Sequence, residues 1–213
     1  MKILITGGAG FIGSHLADAY LADGHEVAII DNLETGFREN INPAARFYEC
    51  DIRDASALAH CFDEFRPELV SHHAAQMSVR LAVANPNHDV SVNITGALNV
   101  LLNAVRVGAK RLIFASSGGA VYGEPQYLPV DENHPIAPES PYGLTKFAFE
   151  HYLRIWSHLH DFTPVVLRYA NVYGPRQTPH GEAGVVAIFA GKLFENQPCT
   201  IFGDGSMTRD YVH

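Results

Sequence analysis

The segment from Lys2 to Gly13 reads KILITGGAGFIG, and it decides the predicted fold. Its first half is a short apolar run, typical of a strand buried on both faces of a parallel sheet. Its second half holds closely spaced glycines, and an amphipathic stretch begins directly after them. The segment therefore predicts a strand, a tight turn and the start of a helix.

A strand, a glycine turn and a helix start predict a cradle for a dinucleotide. Glycine lets a pyrophosphate approach the backbone without meeting a Cβ atom, and the helix N-terminus attracts its charge. A second apolar run, Val27–Ile30, ends at Asp31, whose carboxylate can accept hydrogen bonds from both adenosine ribose hydroxyls. The same charge repels a 2′-phosphate, which favours NAD over NADP. The alternative is a structural glycine turn followed by a surface carboxylate.

Short apolar segments alternate with amphipathic ones along the chain. This pattern predicts an α/β fold with a doubly wound parallel sheet, a Rossmann fold. The predicted strands cover 2–6, 26–30, 46–50, 68–72, 111–116, 163–169 and 199–202. The predicted helices cover 12–23, 54–64, 88–108, 141–160 and 181–196.

Composition narrows the class of protein. Apolar residues make up 47% of the 213 residues and charged residues 18%, which is ordinary for a globular protein with a core. The net charge of −8 disfavours a nucleic acid or an anionic membrane as partner. No uninterrupted apolar run approaches the roughly 20 residues of a membrane span. A first strand at residue 2 leaves no room for a signal peptide. The three cysteines have neither zinc nor disulfide spacing, so we expect reduced thiols in a cytoplasmic protein without a metal.

The carboxyl ends of the predicted strands line a ligand crevice in this architecture. Asp51 and Ile52 end the third strand, where they can meet an adenine ring; capping of the next helix is the alternative for Asp51. Small residues at Ala74 and Ala75 follow the fourth strand and let the backbone approach a ligand. The fifth strand runs into a serine pair, Ser116 and Ser117, whose hydroxyls can face the crevice.

The predicted helix at 141–160 carries a tyrosine and a lysine one turn apart. Ser140 is the predicted N-cap, Pro141 fits the first helical position, and Tyr142 and Lys146 are neighbours at i and i+4. A nearby ammonium and the positive nicotinamide ring would lower the pKa of the phenol. The pair could then take a proton from a sugar hydroxyl while hydride leaves the same carbon.

Together these motifs resemble the NAD-dependent epimerase/dehydratase family of extended short-chain dehydrogenases/reductases, which acts on nucleotide sugars. The matching positions run in order along the whole chain and are closest to the UDP-glucose 4-epimerases. Further matches are His72–Gln76, Asn93, Leu167–Gly174 and the segment from Gly203 to His213. The resemblance implies cofactor contacts from Gly7, Gly10, Phe11, Ile12, Gly13, Asp31, Asn32, Asp51, Ile52, His73, Ala74, Ala75, Gln76, Asn93, Ser116, Tyr142 and Lys146.

The resemblance also implies a mechanism. Tyr142 would take the proton of the sugar 4-hydroxyl while the C4 hydride passes to tightly held NAD. The 4-keto sugar would then turn over and receive the hydride on its other face. Lys146 would hold the nicotinamide ribose and tune Tyr142. The positions matching the nucleotide-diphosphate contacts of the family are Asn171, Thr200, Phe202 and Arg209.

Two departures from the family pattern matter. Gly118 stands where the epimerases usually have a Ser or Thr that bonds the sugar 4-oxygen; either Ser117 takes that role, or Tyr142 acts with water. The chain also stops at His213, where family members continue. We therefore expect an NAD-binding domain over 1–175 and the start of a nucleotide-sugar-binding region over 176–213, with the C-terminal substrate domain largely absent.

Ala120 helps to sort the reactions of the family. The 4,6-dehydratases and decarboxylases have an acid directly before Val-Tyr-Gly, so alanine there favours epimerisation of UDP-glucose and UDP-galactose at C4. UDP-glucuronate and UDP-N-acetylglucosamine 4-epimerases stay open, as does a non-catalytic NAD-binding remnant. Apolar faces on 88–108 and 141–160 permit a homodimer through a four-helix bundle, although an internal packing face would look the same.

Overall fold

The computed structural model describes residues 1–179 and 184–213. Six parallel strands form the main sheet in the order β3-β2-β1-β4-β5-β6, which confirms the predicted Rossmann fold. They are β1 Lys2–Thr6, β2 Glu26–Asp31, β3 Arg46–Glu49, β4 Leu69–His72, β5 Arg111–Ser117 and β6 Thr163–Tyr169. Two short strands, β7 Asn171–Val172 and β8 Tyr211–Val212, form a separate parallel pair.

Helices connect the strands and cover both faces of the sheet. They are α1 Phe11–Ala22, α2 Ala55–Phe65, α3 Val79–Ala84, α4 Pro86–Val90, α5 Ala97–Val107, α6 Gly118–Val121, α7 Pro141–Leu159 and α8 Val185–Phe194. A 3₁₀ turn spans Arg38–Asn40. The strand order reverses between β1 and β4, and the helices that follow these two strands pack on opposite faces of the sheet. This reversal opens a crevice at the carboxyl edge of the sheet.

Side chains of β1 alternate between two cores, because successive residues of a strand point to opposite faces. Leu4 lies in the larger core, together with Phe62 of α2 and Phe149 of α7. Ile3 and Ile5 lie in the smaller core, which packs against α1. Burial on both faces explains why the strand is apolar throughout, and the two cores hold the carboxyl edge of the sheet in place.

The helix predicted at 88–108 contains a π-helical turn. Helices α4 and α5 are joined without a break by Ser91–Gly96, which is wider than an α-helix. Because the widened turn changes the rotation between the two helices, the buried faces of α4 and α5 do not follow one continuous α-helical stripe. Helix α5 places Val100 and Leu101 in the larger core, whereas α4 buries Asp89.

The segment Pro86–Val107 is, among the residues the structure describes, the one helix long and apolar enough to cross a membrane. A helix of this length and apolarity was not predicted from the sequence, because Asp89 and Asn93 interrupt the apolar residues. Its most apolar window is 39% buried, and its inner face belongs to the larger core. A core helix meets the same test of length and composition, so this finding does not identify a membrane protein.

Two predicted elements differ from the structure. The strand predicted at 199–202 is wrong: these residues form no strand, and Ile201 and Phe202 are exposed. Pro198 lacks a backbone donor, and no strand of the sheet lies beside this segment to pair with it. The helix predicted at 181–196 is present as α8, but its predicted first residues lie outside the described part of the chain.

Phe62 and Phe194 offer a matched test of the core. Phe62 is fully buried, whereas Phe194 is 90% exposed at the end of α8. We expect Phe62→Ala to lower the free energy of unfolding by about 3–5 kcal/mol, because it leaves a cavity in the larger core. Phe194→Ala should change it by less than about 0.5 kcal/mol. Urea unfolding measures both, and equal losses would contradict the core described here.

Candidate active site

The glycine turn after β1 fits closely against the loop after β4. Gly7 has φ +71°, and a Cβ atom on it would lie 2.6 Å from the backbone nitrogen of Ala74. A Cβ atom on Gly13 would lie 2.2 Å from the carbonyl oxygen of Gly7. Any other residue at these two positions would force the turn open. The glycines predicted from spacing are therefore required by backbone contacts in the crevice wall.

Helix α1 presents a free N-terminus to the crevice. Gly10 is the N-cap residue, no side chain caps the helix, and the first turn holds no acidic residue. The first N–H groups of the helix and its positive dipole end are thus available to an anion. Gly10, Phe11, Ile12 and Gly13 all line the crevice. The cavity has a volume of about 880 Å³, enough for a dinucleotide-sized ligand.

Asp31 lies at the end of β2 and holds the glycine turn in place. Its carboxylate accepts hydrogen bonds from the backbone N–H of Ala9 at 3.0 Å and of Leu33 at 2.8 Å. The side chain is largely buried, yet it lines the crevice. Each carboxylate oxygen retains a lone pair for a further donor. The position suits the predicted contact with two ribose hydroxyls.

Asp51 also lines the crevice, beside Asn32 and Ile52. Arg53 Nη2 donates to Asp51 Oδ2 at 2.5 Å, and Asn32 Nδ2 donates to the same oxygen at 3.0 Å. These bonds hold the pKa of the Asp51 carboxyl well below its usual range. Helix α2 is capped by Asp54 instead. The capping alternative for Asp51 is therefore wrong, and its carboxylate stays charged at the crevice wall.

The loop after β4 begins with two histidines in different surroundings. The Thr6 hydroxyl accepts the backbone N–H groups of His73 and Ala74, each at 3.2 Å, so its own proton points to His72 Nδ1 at 2.6 Å. His72 is buried beneath the loop, whereas His73 lines the crevice with Ala74, Ala75 and Gln76. His73 Nε2 lies 3.2 Å from the Tyr169 hydroxyl.

Ser117, Tyr142 and Lys146 come together on one wall of the crevice. Ser117 ends β5, and its side chain lies beside the Tyr142 phenol. Helix α7 begins as predicted, with Ser140 Oγ accepting the N–H of Gly143 at 3.1 Å. Lys146 is buried, and its Nζ donates to the carbonyl oxygen of Ala115 at 3.0 Å. All predicted catalytic residues thus share one site.

Burial opposes the charged forms of both catalytic groups. It raises the pKa of Tyr142 to about 12, although the Ser117 hydrogen bond pulls the other way. Burial also lowers the pKa of Lys146 to about 8. Without a bound cofactor the phenol pKa is raised, because the cost of removing a phenolate from water dominates; the lower pKa expected beside the nicotinamide ring stays a prediction. A phenolate here needs added positive charge.

Ser116 differs from its neighbour in the direction of its hydroxyl. Its Oγ donates to Glu150 Oε1 at 2.5 Å, and Glu150 also pairs with Arg168 at 2.6 Å. Arg168 in turn donates to the Tyr122 hydroxyl at 2.8 Å. Ser116 lines the crevice, but its hydroxyl is turned to this ion pair. The Ser116 hydroxyl is thus bonded within the protein, and its contact with a cofactor stays a prediction.

Gly118 begins α6, immediately after the strand that carries Ser117. A Cβ atom at Gly118 would lie 3.2 Å from the carbonyl oxygen of Arg168, a tight fit. Gly118 offers no hydroxyl, whereas Ser117 lines the crevice beside Tyr142. The catalytic role of Ser117 stays a prediction.

Asn93 does not reach the crevice wall, unlike the other predicted cofactor residues. It lies in the π-helical turn and is buried. Its Nδ2 donates to the carbonyl oxygen of Gln76 at 2.9 Å, and its Oδ1 accepts the N–H of Gln76 at 3.0 Å. Asn93 therefore shapes the loop that faces a ligand instead of lining the cavity itself.

The four predicted substrate contacts lie outside the crevice. Thr200, Phe202 and Arg209 are exposed, and the Arg209 guanidinium donates to the neighbouring Thr208 carbonyl at 2.7 Å. Asn171 Nδ2 donates to the carbonyl oxygen of Asp210 at 3.0 Å, which ties β7 to the segment before β8. Their substrate roles stay predictions.

Sequence reasoning missed several residues at the site. Arg80, Tyr169 and Arg176 line the crevice, and Asp89 is buried behind it. Tyr169 lies within the Leu167–Gly174 motif, so the motif itself pointed to it. Asp89 had no such signal, because a single acid in an amphipathic segment predicts a solvated position.

Comparison with known proteins decides the family. The NAD dependent epimerase/dehydratase family matches residues 3–213. The chain belongs to that family. Within it, the UDP-glucose 4-epimerase of Mycolicibacterium smegmatis is 46% identical over 217 residues, covering 100% of this chain and 69% of that protein. The chain thus spans about two thirds of the length of such a relative.

Two solved structures of the family resemble the chain throughout. The UDP-glucose 4-epimerase of Thermotoga maritima, solved with UDP-glucose, superposes with a TM-score of 0.97 at 47% identity, covering 100% of this chain and 69% of that one. The UDP-glucose 4-epimerase of Thermus thermophilus, solved with NAD, gives a TM-score of 0.94 at 49% identity, covering 100% of this chain and 70% of that one.

The buried histidines predict a loss of stability in mild acid. Burial lowers the pKa of His72 well below its usual value and that of His73 to about 4. From about pH 6.5 down to about pH 4, the unfolded chain binds these protons and the folded chain does not. The free energy of unfolding should fall with pH there, by up to about 1.4 kcal/mol per unit for His72 and less for His73.

Urea unfolding at several pH values tests this expectation. His73→Gln should flatten the slope, whereas His60→Gln, with a side chain 79% exposed, should leave it unchanged. A stability that does not vary between pH 7 and pH 5 would contradict neutral burial of both rings.

Proposed function

We propose that this chain carries the catalytic half of an NAD-dependent 4-epimerase of a UDP-hexose, with UDP-glucose and UDP-galactose as the pair interconverted. The observation that carries the proposal is that Ser117, Tyr142 and buried Lys146 line the same crevice as the glycine turn. The family itself is NAD-dependent, so the crevice needs to hold that cofactor and a sugar hydroxyl together.

The residues present fit NAD. The glycine turn leaves no room for a Cβ atom, the N-terminus of α1 is uncapped, and Asp31 presents a carboxylate beside it. These groups match a pyrophosphate and a ribose with free hydroxyls. The chemistry that NAD supplies when bound is reversible acceptance of a hydride. Ala74 and Ala75 keep the opposite wall small.

The side chains of the crevice wall move and hold the proton. Tyr142 would take the proton of the 4-hydroxyl as the C4–H bond breaks, and would return it when the hydride comes back to the other face. The Lys146 ammonium, 5.8 Å from the Tyr142 ring centroid, offsets part of the phenolate charge. Ser117 lies beside the phenol and would offer its hydroxyl to the sugar oxygen.

The choice of sugar rests on the relatives and on one small residue. The relatives described above are named UDP-glucose 4-epimerases, and one was solved with UDP-glucose. Ala120, where dehydratases of this family carry an acid, offers no group to drive elimination. UDP-glucuronate and UDP-N-acetylglucosamine are less favoured because of the names of these relatives, and a non-catalytic NAD-binding role is less favoured because an intact Tyr142–Lys146 pair faces the crevice.

Tyr142→Phe tests the reaction. Proton NMR of UDP-galactose incubated with the chain and NAD should show UDP-glucose anomeric signals, and this variant should lower the rate by at least about 100-fold. NAD binding should persist, because the phenol is not part of the cradle. Tyr127→Phe, an exposed tyrosine bonded to Asp131, is the matched control and should keep full activity. Equal rates for Tyr142→Phe and the unchanged chain would contradict the role of Tyr142.

We also propose a homodimer through the helical segments Pro86–Val107 and Pro141–Leu159. Leu144, Ile155 and Leu159 are exposed along one stripe of α7, and Leu102 is exposed on α5. Two copies of this face would bury the stripes as a four-helix bundle, which is how family members dimerise according to the resemblance. Exposed leucines at helical spacing on adjacent helices support a protein partner.

Ile155→Arg tests the dimer, because it places a charge in the middle of the stripe. Light scattering should report a dimer for the unchanged chain and a monomer for this variant. Ile201 is an apolar residue with a side chain 65% exposed, and it lies outside both helical segments. Ile201→Arg should therefore leave the molar mass measured by light scattering at that of the dimer. A monomeric unchanged chain, or a dimeric Ile155→Arg variant, would contradict the proposed face.

A further inference from the structure

Asp89 is a fully buried carboxylate directly behind the crevice. No lysine or arginine forms an ion pair with it in residues 1–179 or 184–213. Its oxygens accept hydrogen bonds from Gln76 Nε2 at 2.7 Å, Asn93 Nδ2 at 3.0 Å and Thr145 Oγ1 at 2.7 Å. A buried charge is costly unless donors compensate it, so these three side chains are held firmly by the carboxylate.

Two of these donors shape the crevice loop. Gln76 accepts the N–H of Ser78 at 2.5 Å through its Oε1 and reaches Asp89 with its Nε2. Asn93 accepts a hydrogen bond from the backbone N–H of Gln76 and donates one to its carbonyl oxygen. It also donates to Asp89. The backbone from His73 to Ser78, which lines the crevice, is therefore fixed from behind by one charge.

The third donor is part of the catalytic helix. Thr145 lies between Tyr142 and Lys146 in α7, and its hydroxyl is also 3.0 Å from the carbonyl oxygen of Tyr142. Asp89 thus joins the cofactor wall of the crevice to the first turn of the helix that carries the general base. The π-helical turn brings Asn93 into the same cluster, one turn beyond Asp89.

The charge of Asp89 reaches the catalytic pair. Lys146 is buried without a carboxylate in contact, and the field of Asp89 favours its ammonium form, raising its pKa. The same field disfavours the phenolate and raises the pKa of Tyr142. The other titratable or charged groups around the pair are His72, His73, His88, Arg80, Tyr169 and the Glu150–Arg168 ion pair.

We propose that Asp89 is a positioning residue of the reaction: its carboxylate fixes the Gln76 loop and the Tyr142–Lys146 helix relative to each other and keeps Lys146 cationic. This inference rests on the proposed function, because hydride and proton transfer require the cofactor wall and the catalytic helix to keep a fixed relative position. It acts through Thr145, Gln76 and Asn93 and touches no substrate.

Asp89→Asn, Thr145→Val and Thr145→Ser separate position from charge. Asp89→Asn puts an amide against three donors and should lower kcat by about 30-fold, with KM for the UDP-sugar changed by less than about threefold. Its loss of kcat at alkaline pH should begin at a lower pH, because Lys146 loses its proton more easily. Thr145→Val should lower kcat without that shift, and Thr145→Ser should restore it. Asp161→Asn, an exposed acid paired with Lys110, is the control.

Titration of Tyr142 gives a readout that needs no turnover. The tyrosinate absorbance that disappears in Tyr142→Phe should rise near pH 12 in the unchanged chain and at a lower pH in Asp89→Asn. If the unchanged chain does not epimerise, the proposed function fails while this shift still supports the inference. An Asp89→Asn variant with unshifted titration, or with kcat within threefold of the unchanged chain, overturns it. If Asp89→Asn does not fold, a Thr145→Val variant as active as Thr145→Ser overturns it.

Discussion

The approach of Gly7 to Ala74 is the contact on which the rest of the structure depends. It brings the ends of β1 and β4 together at the point where the strand order reverses, and the Thr6 hydroxyl secures it by accepting two backbone N–H groups. One side of this junction leads into the uncapped N-terminus of α1. The other side becomes the loop that Gln76 closes. The glycine turn after β1 and the crevice loop after β4 are thus held together by one backbone contact.

Helix α7 supplies the chemistry to this junction, and its position is set by small residues. A Cβ atom on Gly143 would lie 2.2 Å from the Ala120 carbonyl, so the first turn of α7 rests directly on α6. That contact places Tyr142 next to the end of β5, where Ser117 meets it. Burial then makes the phenolate and the Lys146 ammonium costly in the protein by itself. The site is therefore arranged to become reactive only when further positive charge is present.

The fold was largely predictable from the sequence, because β1, β2 and β5 contain short, largely buried apolar runs that alternate with helical segments. The segment 199–202 has the same apolar character, but strand formation needs a neighbour, and sequence pattern cannot supply one. The pair β7–β8 was not predicted for the opposite reason: two residues per strand give no periodicity, and their pairing joins segments far apart in the chain.

At the site, spacing predicted the glycine turn, Asp31 and the Tyr142–Lys146 pair. It did not predict which way a hydroxyl turns: the Ser116 hydroxyl bonds Glu150, whereas the adjacent Ser117 lies beside Tyr142. Asn93 was assigned to the cofactor although it holds Gln76. Asp89 was passed over, because burial of a single acid depends on donors from three separate segments, and their convergence is a property of the folded chain.

The π-helical turn at Ser91–Gly96 has a consequence for how this region tolerates insertions and deletions. Each residue of an α-helix turns the chain by about 100°, so removing one residue here would rotate α5 relative to α4 by that amount. Either Val100 and Leu101 would leave the core, or Asp89 would leave its donors. A substitution in the turn changes single contacts. A change in the length of the turn would make it impossible to keep both the core contacts of α5 and the active-site contacts of α4.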